Sequence, residues 1–323
     1  MTRELIAAAG AGRMGRGIAV VFAYSGHTVR LVDLKPRDAA EFARVASEAR
    51  QEIGEALDML SELGVMPREA VDTIAARISI HAGAAALADA DVIFEGVPET
   101  REAKQAALRE ISGAARDDAI IASTTSTMLS TELQDLVTQP ERFLNAHWLN
   151  PAYLVPLVEV SPGARTDPAV IGRLNALLER IGKVPVVCKA SPGYIVPRIQ
   201  ALAMNEAARL VEEGVASAED VDRAIKYGFG LRYAVLGLIE FIDWGGGDIL
   251  YYASRYLREA TGEDRFAAPK IVEDNMHAGR IGLRTGQGFY DFRTRDVMRF
   301  KRERLGAYVA LLRHFGLLRP PAG

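Results

Sequence analysis

Residues 4–33, ELIAAAGAGRMGRGIAVVFAYSGHTVRLVD, leave this chain few ways to fold. An apolar run enters a glycine-rich turn, a helical pattern follows, and the β-branched run TVRLVD ends on an acid. The order is strand, turn, helix, strand. Gly10 permits the tight turn, Gly12 lets the backbone approach a pyrophosphate, and Gly15 lets the helix pack closely on the strand. Arg13 and Met14 complete the loop at the helix N-terminus, where unpaired N–H groups face phosphate. Asp33, eighteen residues past Gly15, is placed to accept hydrogen bonds from an adenosine ribose, and a 2′-phosphate would be repelled there. Lys35 and Arg37 follow it and can in principle hold that phosphate, so the acid favours NAD over NADP without deciding it.

The βα alternation continues through DVIFEGVPE (91–99), a helix, AIIAS (119–123), a short helix, RFLNAHW, PLVEV, a helix near 167–182 and VPVVC. Such alternation predicts an α/β fold with a doubly wound, mostly parallel sheet, whose ligands sit outside the carboxyl ends of the strands. Those ends carry Glu99, the hydroxyl run STTST (123–127), His147 and Asn150.

In NAHWLNPAYLVPLVEV (145–160) a histidine and a glutamate stand where buried strands would want neither. The Asn-Pro turn between them predicts that the two strand ends meet, so that His147 and Glu159 touch. Oxidising a secondary alcohol requires its hydroxyl proton to leave, and an imidazole can take it near neutral pH. A carboxylate on the far ring nitrogen would fix the tautomer. Ser126 lies among five consecutive hydroxyl residues, of which Ser123 and Ser130 can equally serve as helix caps.

Charge excludes other partners. Thirty-nine basic residues are offset by 42 acidic ones spread along 323 residues, with a formal net charge of −3, so a nucleic-acid partner is not expected. No apolar run reaches the roughly 18 residues that span a bilayer, and the N-terminal apolar stretch runs straight into the glycine loop; a cytoplasmic protein with no membrane partner is expected. The single cysteine, Cys188, reads as a small residue of a buried strand. His27, His81, His277 and His314 show no metal-ligand spacing, so no metal is expected.

These segments together resemble the L-3-hydroxyacyl-CoA dehydrogenase superfamily. The loop GAGRMGRGIA, the segment VIFEGVPE, the Ser/Thr run, HWLNPAYLVPLVEV, SPGYIVPR and GQGFYDF occur in the family's order over roughly residues 4–292. The resemblance implies His147 as catalytic base, Glu159 as its orienting partner and Ser126 as the contact to the reacting oxygen. It also implies that Glu99, Lys104, Ser126, Asn150 and Arg284 serve the cofactor or the nicotinamide end, with Ser126 and Asn150 near substrate, and that the chain pairs as a homodimer through its C-terminal domain. NAD is the implied cofactor, and a small molecule the implied substrate.

Two segments depart from the family pattern. Pro197 stands where the family usually has an asparagine that helps hold substrate, and proline offers no donor. The helix at 41–63 carries Glu41, Glu48, Glu52, Glu55, Asp58 and Glu62 against Arg44 and Arg50, a local charge of −4 that would repel CoA. Conversely, GFGLRYAVLGLIEFIDWGGGD (228–248) resembles the subgroup with lambda-crystallin and L-gulonate 3-dehydrogenase, and its Arg232 can fork around a free carboxylate or serve as a surface or dimer contact.

The expected organisation is an NAD-binding domain over 1–190 with a helical arm at 41–76, then an all-helical domain over 191–323. There Gly228, Gly230 and Gly245–Gly247 punctuate helices, Trp244 is a candidate core residue, and Leu305, Tyr308, Val309, Leu312 and Phe315 form an apolar stripe that packs on the protein itself or on a twin subunit. Three readings stay open: a dehydrogenase for an L-3-hydroxyacyl-CoA, one for a free L-3-hydroxy acid, and a catalytically weak NAD-binding protein of crystallin type.

Overall fold

A central strand with no polar side chain on either face organises the first half of the computed structural model, which describes residues 3–321. Strand β1 (Ile6–Ala9) is fully buried, as parallel strands covered on both faces must be. From it the chain runs through α1 (Arg13–Tyr24), β2 (Val29–Asp33), α2 (Ala39–Glu62), α3 (Ala70–Ala75), β3 (Ile78–Ala82), β4 (Val92–Glu95), α4 (Arg101–Ala114) and β5 (Ile120–Ser123). It continues as α5 (Ser130–Leu133), β6 (Phe143–Trp148), β7 (Leu157–Pro162), α6 (Pro168–Arg180) and β8 (Val184–Val187). The eight strands lie in the order β3-β2-β1-β4-β5-β6-β7-β8, so the winding reverses between β1 and β4. That reversal opens the crevice in which a doubly wound sheet binds its ligand.

All pairs are parallel except β6 with β7. Only residues 149–156 join those two strands, too few for a crossover helix, so the chain must turn back. Helix α2 starts where Asp38 caps the N–H of Glu41 at 2.8 Å. Its acids are largely matched: Glu41 pairs with Arg37, Glu48 with Arg44, Glu52 with Arg16 and Asp58 with Arg68. The arm is therefore far closer to neutral than its own sequence suggests.

Two sequence expectations are corrected here. Strand β3, ISIHA, was absent from the predicted pattern; it is a partly exposed edge strand paired only with β2, so it lacks a continuous apolar signal. The segment before Cys188 is not a buried strand. Strand β8 is the opposite edge of the sheet, Val184 and Val187 are about half exposed (53% and 49%), and Cys188 is only partly buried.

The chain divides into two compact units, between Ala203 and Met204 in sequence. Helix α7 (Val196–Glu212) carries the chain from one to the other. The second unit continues with α8 (Ala218–Ile225), α9 (Leu231–Tyr233), α10 (Leu238–Gly245), α11 (Gly247–Thr261), α12 (Lys270–His277) and α13 (Val297–His314), and holds no strand among its described residues. Gly228 and Gly230 do not stop a helix as expected: Lys226–Gly230 forms a π-helical turn that joins α8 to α9. A Cβ on Gly230 would lie 2.9 Å from the Ile225 carbonyl oxygen, so the widened turn needs glycine there. Gly246, at φ 115°, does separate α10 from α11. Trp244 is only partly buried, against Phe300 at 5.9 Å. The GQGFYDF segment wraps a buried acid: Asp243 accepts the N–H groups of Phe289 (3.0 Å) and Tyr290 (2.7 Å), and a Cβ on Gly288 would fall 2.1 Å from its carboxylate.

Candidate active site

The turn after β1 is built as a cradle. Gly10 has φ 122°, and a Cβ there would meet the Gly96 carbonyl oxygen at 2.6 Å; one on Gly15 would sit 2.0 Å from the Gly10 carbonyl oxygen. A Cβ on Gly12 would meet nothing within 4 Å, so the backbone beside it faces open space. The first-turn N–H groups of α1, which start at Arg13 and Met14, have no intrahelical acceptors. A cavity of about 1010 Å³ extends from Gly10 and Gly12 past Asp33, Lys35, Arg37 and Arg44 to Val97 and Thr100. At its far side Asp33 is buried and accepts from the Lys35 N–H (3.3 Å) and Arg37 Nε (2.5 Å). The donors, the cavity and the terminal acid fit an adenine dinucleotide.

His147 and Glu159 are direct register partners across β6 and β7. Nδ1 of the imidazole lies 2.8 Å from Glu159 Oε2, and both side chains are buried. A carboxylate on Nδ1 puts the ring proton there and leaves Nε2 free to accept one. The other oxygen, Oε1, accepts the N–H groups of Ile195 (2.9 Å) and Val196 (2.8 Å), so the start of α7 supports the negative charge. Tyr194 lies flat against the imidazole, with centroids 5.0 Å apart and planes 5° from parallel. Its hydroxyl donates to the Thr125 carbonyl (2.9 Å) and accepts from Asn145 Nδ2 (3.0 Å), and its φ of 45° is the left-handed value that a sharp turn into α7 imposes.

The hydroxyl run is sorted by two glutamates. Ser123 donates to Glu95 Oε2 at 2.6 Å, Thr125 and Thr127 donate to Glu99, and Glu99 Oε1 also accepts the N–H groups of Ser126 (3.0 Å) and Thr127 (3.1 Å). Ser130 donates to the Pro162 carbonyl at 2.9 Å. Two hydroxyls of 123–127 have no hydrogen-bond partner among the described residues, those of Thr124, which is buried, and of Ser126, which is exposed. Lys104 is fully buried; its ammonium donates to both oxygens of Glu95 (2.9 and 3.1 Å) and lies 3.5 Å from Glu99. Burial alone would raise the Glu99 carboxyl, but the Thr125 hydroxyl, the Lys104 charge and Thr127 outweigh it and hold its pKa below the usual carboxylate range.

The loop between the dyad strands is tied by Lys183, whose buried ammonium donates to the carbonyls of Ala152 (2.5 Å) and Val155 (2.7 Å) and sits 5.6 Å over the Trp148 ring. Asn150 is exposed and lines a smaller cavity of about 290 Å³ with Arg13, Arg16 and Tyr153. The remaining two predicted residues belong to the second unit. Arg284 pairs with Asp248, and Arg232 donates Nε to the Gly228 carbonyl (2.9 Å) while its guanidinium covers the Phe241 ring at 4.8 Å.

Sequence reasoning missed Glu95, Lys183, Tyr194 and the N–H groups of Ile195 and Val196. A glutamate closing an apolar strand in VIFE, and a Pro-Gly pair ahead of a helix, were the available signals.

Residues 5–191 match the family described as 3-hydroxyacyl-CoA dehydrogenase, NAD binding domain, and residues 193–292 match its C-terminal domain. The chain belongs to the 3-hydroxyacyl-CoA dehydrogenase family. Membership brings NAD as cofactor and an oxidoreductase role on CH–OH donors. A 5-formyl-3-hydroxy-2-methylpyridine 4-carboxylate 5-dehydrogenase of Mesorhizobium japonicum is 32% identical over 310 residues, 95% of this chain and 97% of that one. Lambda-crystallin of Oryctolagus cuniculus is 33% identical, over 76% of each chain. Among solved structures, a 3-hydroxyacyl-CoA dehydrogenase of Archaeoglobus fulgidus aligns over 98% of this chain and all of its own, with TM-score 0.77 and 31% identity. No helix among the described residues is long and apolar enough to cross a membrane.

Proposed function

We propose that the protein oxidises the hydroxyl of a free L-3-hydroxy acid to the ketone, and reduces the ketone in reverse. The observation that carries the reading is the buried His147 Nδ1–Glu159 Oε2 bond, with Glu159 in turn held by the start of α7. Bound NAD supplies the hydride acceptor. His147 Nε2 takes the hydroxyl proton, Glu159 steadies the imidazolium that results, and the Ser126 hydroxyl binds the reacting oxygen. Glu99 and Lys104 act on that oxygen contact indirectly, because Glu99 fixes the Ser126 backbone and Lys104 compensates the two glutamates. Asn150, in the loop tied by Lys183, is assigned to the substrate end by its place in the family motif. The intact dyad speaks against the catalytically weak reading.

Three features support a free acid over a CoA thioester. Pro197 occupies the first turn of α7, where it forfeits no intrahelical bond but presents no polar group. Helix α2 has two cationic side chains, and one of them, Arg44, is paired with Glu48. Arg232 keeps its terminal nitrogens free of hydrogen bonds within the described residues and suits a carboxylate. The Mesorhizobium relative, which covers 95% of the chain, is named for a pyridine carboxylate that is not a CoA thioester, whereas the Archaeoglobus structure that aligns over 98% is named for an acyl-CoA substrate. NADH formation with matched free 3-hydroxy acids and 3-hydroxyacyl-CoAs tests this: free acids should show the higher kcat/KM, and preference for the thioesters overturns the assignment.

The same reading includes a homodimer formed through the second unit. Its described buried apolar residues are only Val221, Leu236, Val272, Phe292 and Phe300, whereas Tyr227, Ile249, Tyr252, Tyr256, Leu305 and Val309 are exposed. Exposed apolar side chains in such number fit a partner surface.

A further inference from the structure

The turn that enters α7 touches the His147–Glu159 pair at more than one point. Tyr194 is buried and its ring lies flat on the imidazole, while the two N–H groups that follow it hold Glu159 Oε1. Two successive left-handed residues, Gly193 (φ 74°) and Tyr194 (φ 45°), make the turn. A residue with a side chain keeps such a φ only where its contacts compel it. The phenol reaches further. It donates to the Thr125 carbonyl (2.9 Å) and accepts from Asn145 Nδ2 (3.0 Å), which also donates to the Met128 carbonyl (2.9 Å). Thr125 and Met128 bracket Ser126. Asn145 lies two residues before His147 on β6, so both side chains leave the same face of the sheet. Burial pushes the Tyr194 phenol far above its ordinary range, so the hydroxyl stays protonated and serves as a fixed donor, not as an acid–base group.

We infer that Tyr194 is a positioning residue: its ring fixes the plane of the His147 imidazole while its hydroxyl fixes the segment 125–128, so that one side chain sets the base against the Ser126 hydroxyl. The inference rests on the proposed role of His147 as proton acceptor. The Nδ1–Glu159 bond lies in the ring plane and leaves the imidazole free to tip about it. A flat aromatic neighbour in offset-stacked contact removes that freedom and keeps Nε2 aimed. When the imidazole takes a proton, the aromatic face also favours its charge.

The test compares wild type, Tyr194→Phe, Tyr194→Leu, His147→Ala and the Tyr194→Leu/His147→Ala pair in the full-length protein. Turnover is read with whichever of matched 3-hydroxy acids and 3-hydroxyacyl-CoAs the wild type oxidises fastest. Tyr194→Phe, which keeps the stack and loses the hydroxyl, should lower kcat about fivefold, and Tyr194→Leu, which loses both, about 50-fold. NADH should bind each variant within about twofold of wild type, since the residues lining the cofactor cavity do not include Tyr194. In the His147→Ala background the cost of Tyr194→Leu should shrink to about fivefold, the share of the hydroxyl alone. NMR relaxation of the histidine rings, with His147→Ala to assign the signal, needs no substrate; it should report a rigid His147 ring in wild type and Tyr194→Phe and a mobile one in Tyr194→Leu. Tyr194→Met, which fills the space without a flat ring, replaces Tyr194→Leu if the latter does not bind NADH. Wild-type kcat in Tyr194→Leu, an equal cost with and without His147, or a rigid imidazole in Tyr194→Leu would overturn the role of the ring, and wild-type kcat in Tyr194→Phe would remove the hydroxyl from it. Full turnover by His147→Ala would refute the base itself, whereas a loss there with none in Tyr194→Leu strikes Tyr194 alone.

Discussion

His147 is useful as a base in one tautomer only, and Glu159 selects it. Replacing Glu159 by Gln keeps the volume but puts an amide where one oxygen meets Nδ1 and the other meets two backbone N–H groups. Turnover should fall about 10³–10⁴-fold, as when a triad carboxylate is amidated. Stability should fall by about 1–3 kcal/mol in denaturant unfolding, because a donor then faces donors in a buried site. Glu99 gives a pH signature. Its folded pKa lies below the unfolded value of about 4.3, so its contribution is fully present above that pH and is lost as pH falls through the folded value. The melting-temperature gap between wild type and Glu99→Gln should therefore be constant near neutrality and close in acid. Much of this chemistry was legible at the residue scale because histidine and glutamate are anomalous inside apolar strands. Tyr194 was not, since its role depends on a left-handed φ and on Asn145 and Thr125, 49 and 69 residues away in sequence.

At the scale of elements, the turn after β1 and the loop between β6 and β7 do the positioning. Gly15→Ala would drive a methyl group into the Gly10 carbonyl; a cost of about 1–3 kcal/mol and loss of NADH binding are expected, checked by thermal melts and fluorescence titration. Lys183→Met would strand the carbonyls of Ala152 and Val155 that it now binds. A loss of about 1–3 kcal/mol is expected, with a larger fall in kcat than in NADH affinity if the loop carries Asn150 to substrate. The β1–α1–β2 unit could be read from sequence because its glycines and its strand periodicity agree. The edges were read less well: β3 was missed because Ser79 and His81 break its apolar run, β8 was read as a strand but not as an exposed edge, and the Lys183 ammonium answers carbonyls that no sequence pattern marks.

For the whole molecule, the contrast between the two units is the main guide. The first buries aromatic residues in depth, with Phe94 between Phe22 (5.4 Å) and Trp148 (5.6 Å). The second has few buried apolar side chains and an exposed stripe on α13. Light scattering should give twice the chain mass, and Leu305→Glu with Val309→Glu should shift the protein toward monomer; a monomeric wild type would contradict the pairing. The helical character of this unit followed from its periodicity, whereas the π-helical turn and the burial of Asp243 by GQGFYDF depend on backbone geometry that composition does not reveal.

The proton-accepting role of His147 is the centre of the account. Turnover of the best 3-hydroxy acid by His147→Ala, with NADH binding measured on the same preparation, tests it most directly. Binding within about twofold of wild type and turnover lowered about 10²–10⁴-fold are predicted; turnover close to that of wild type would contradict it.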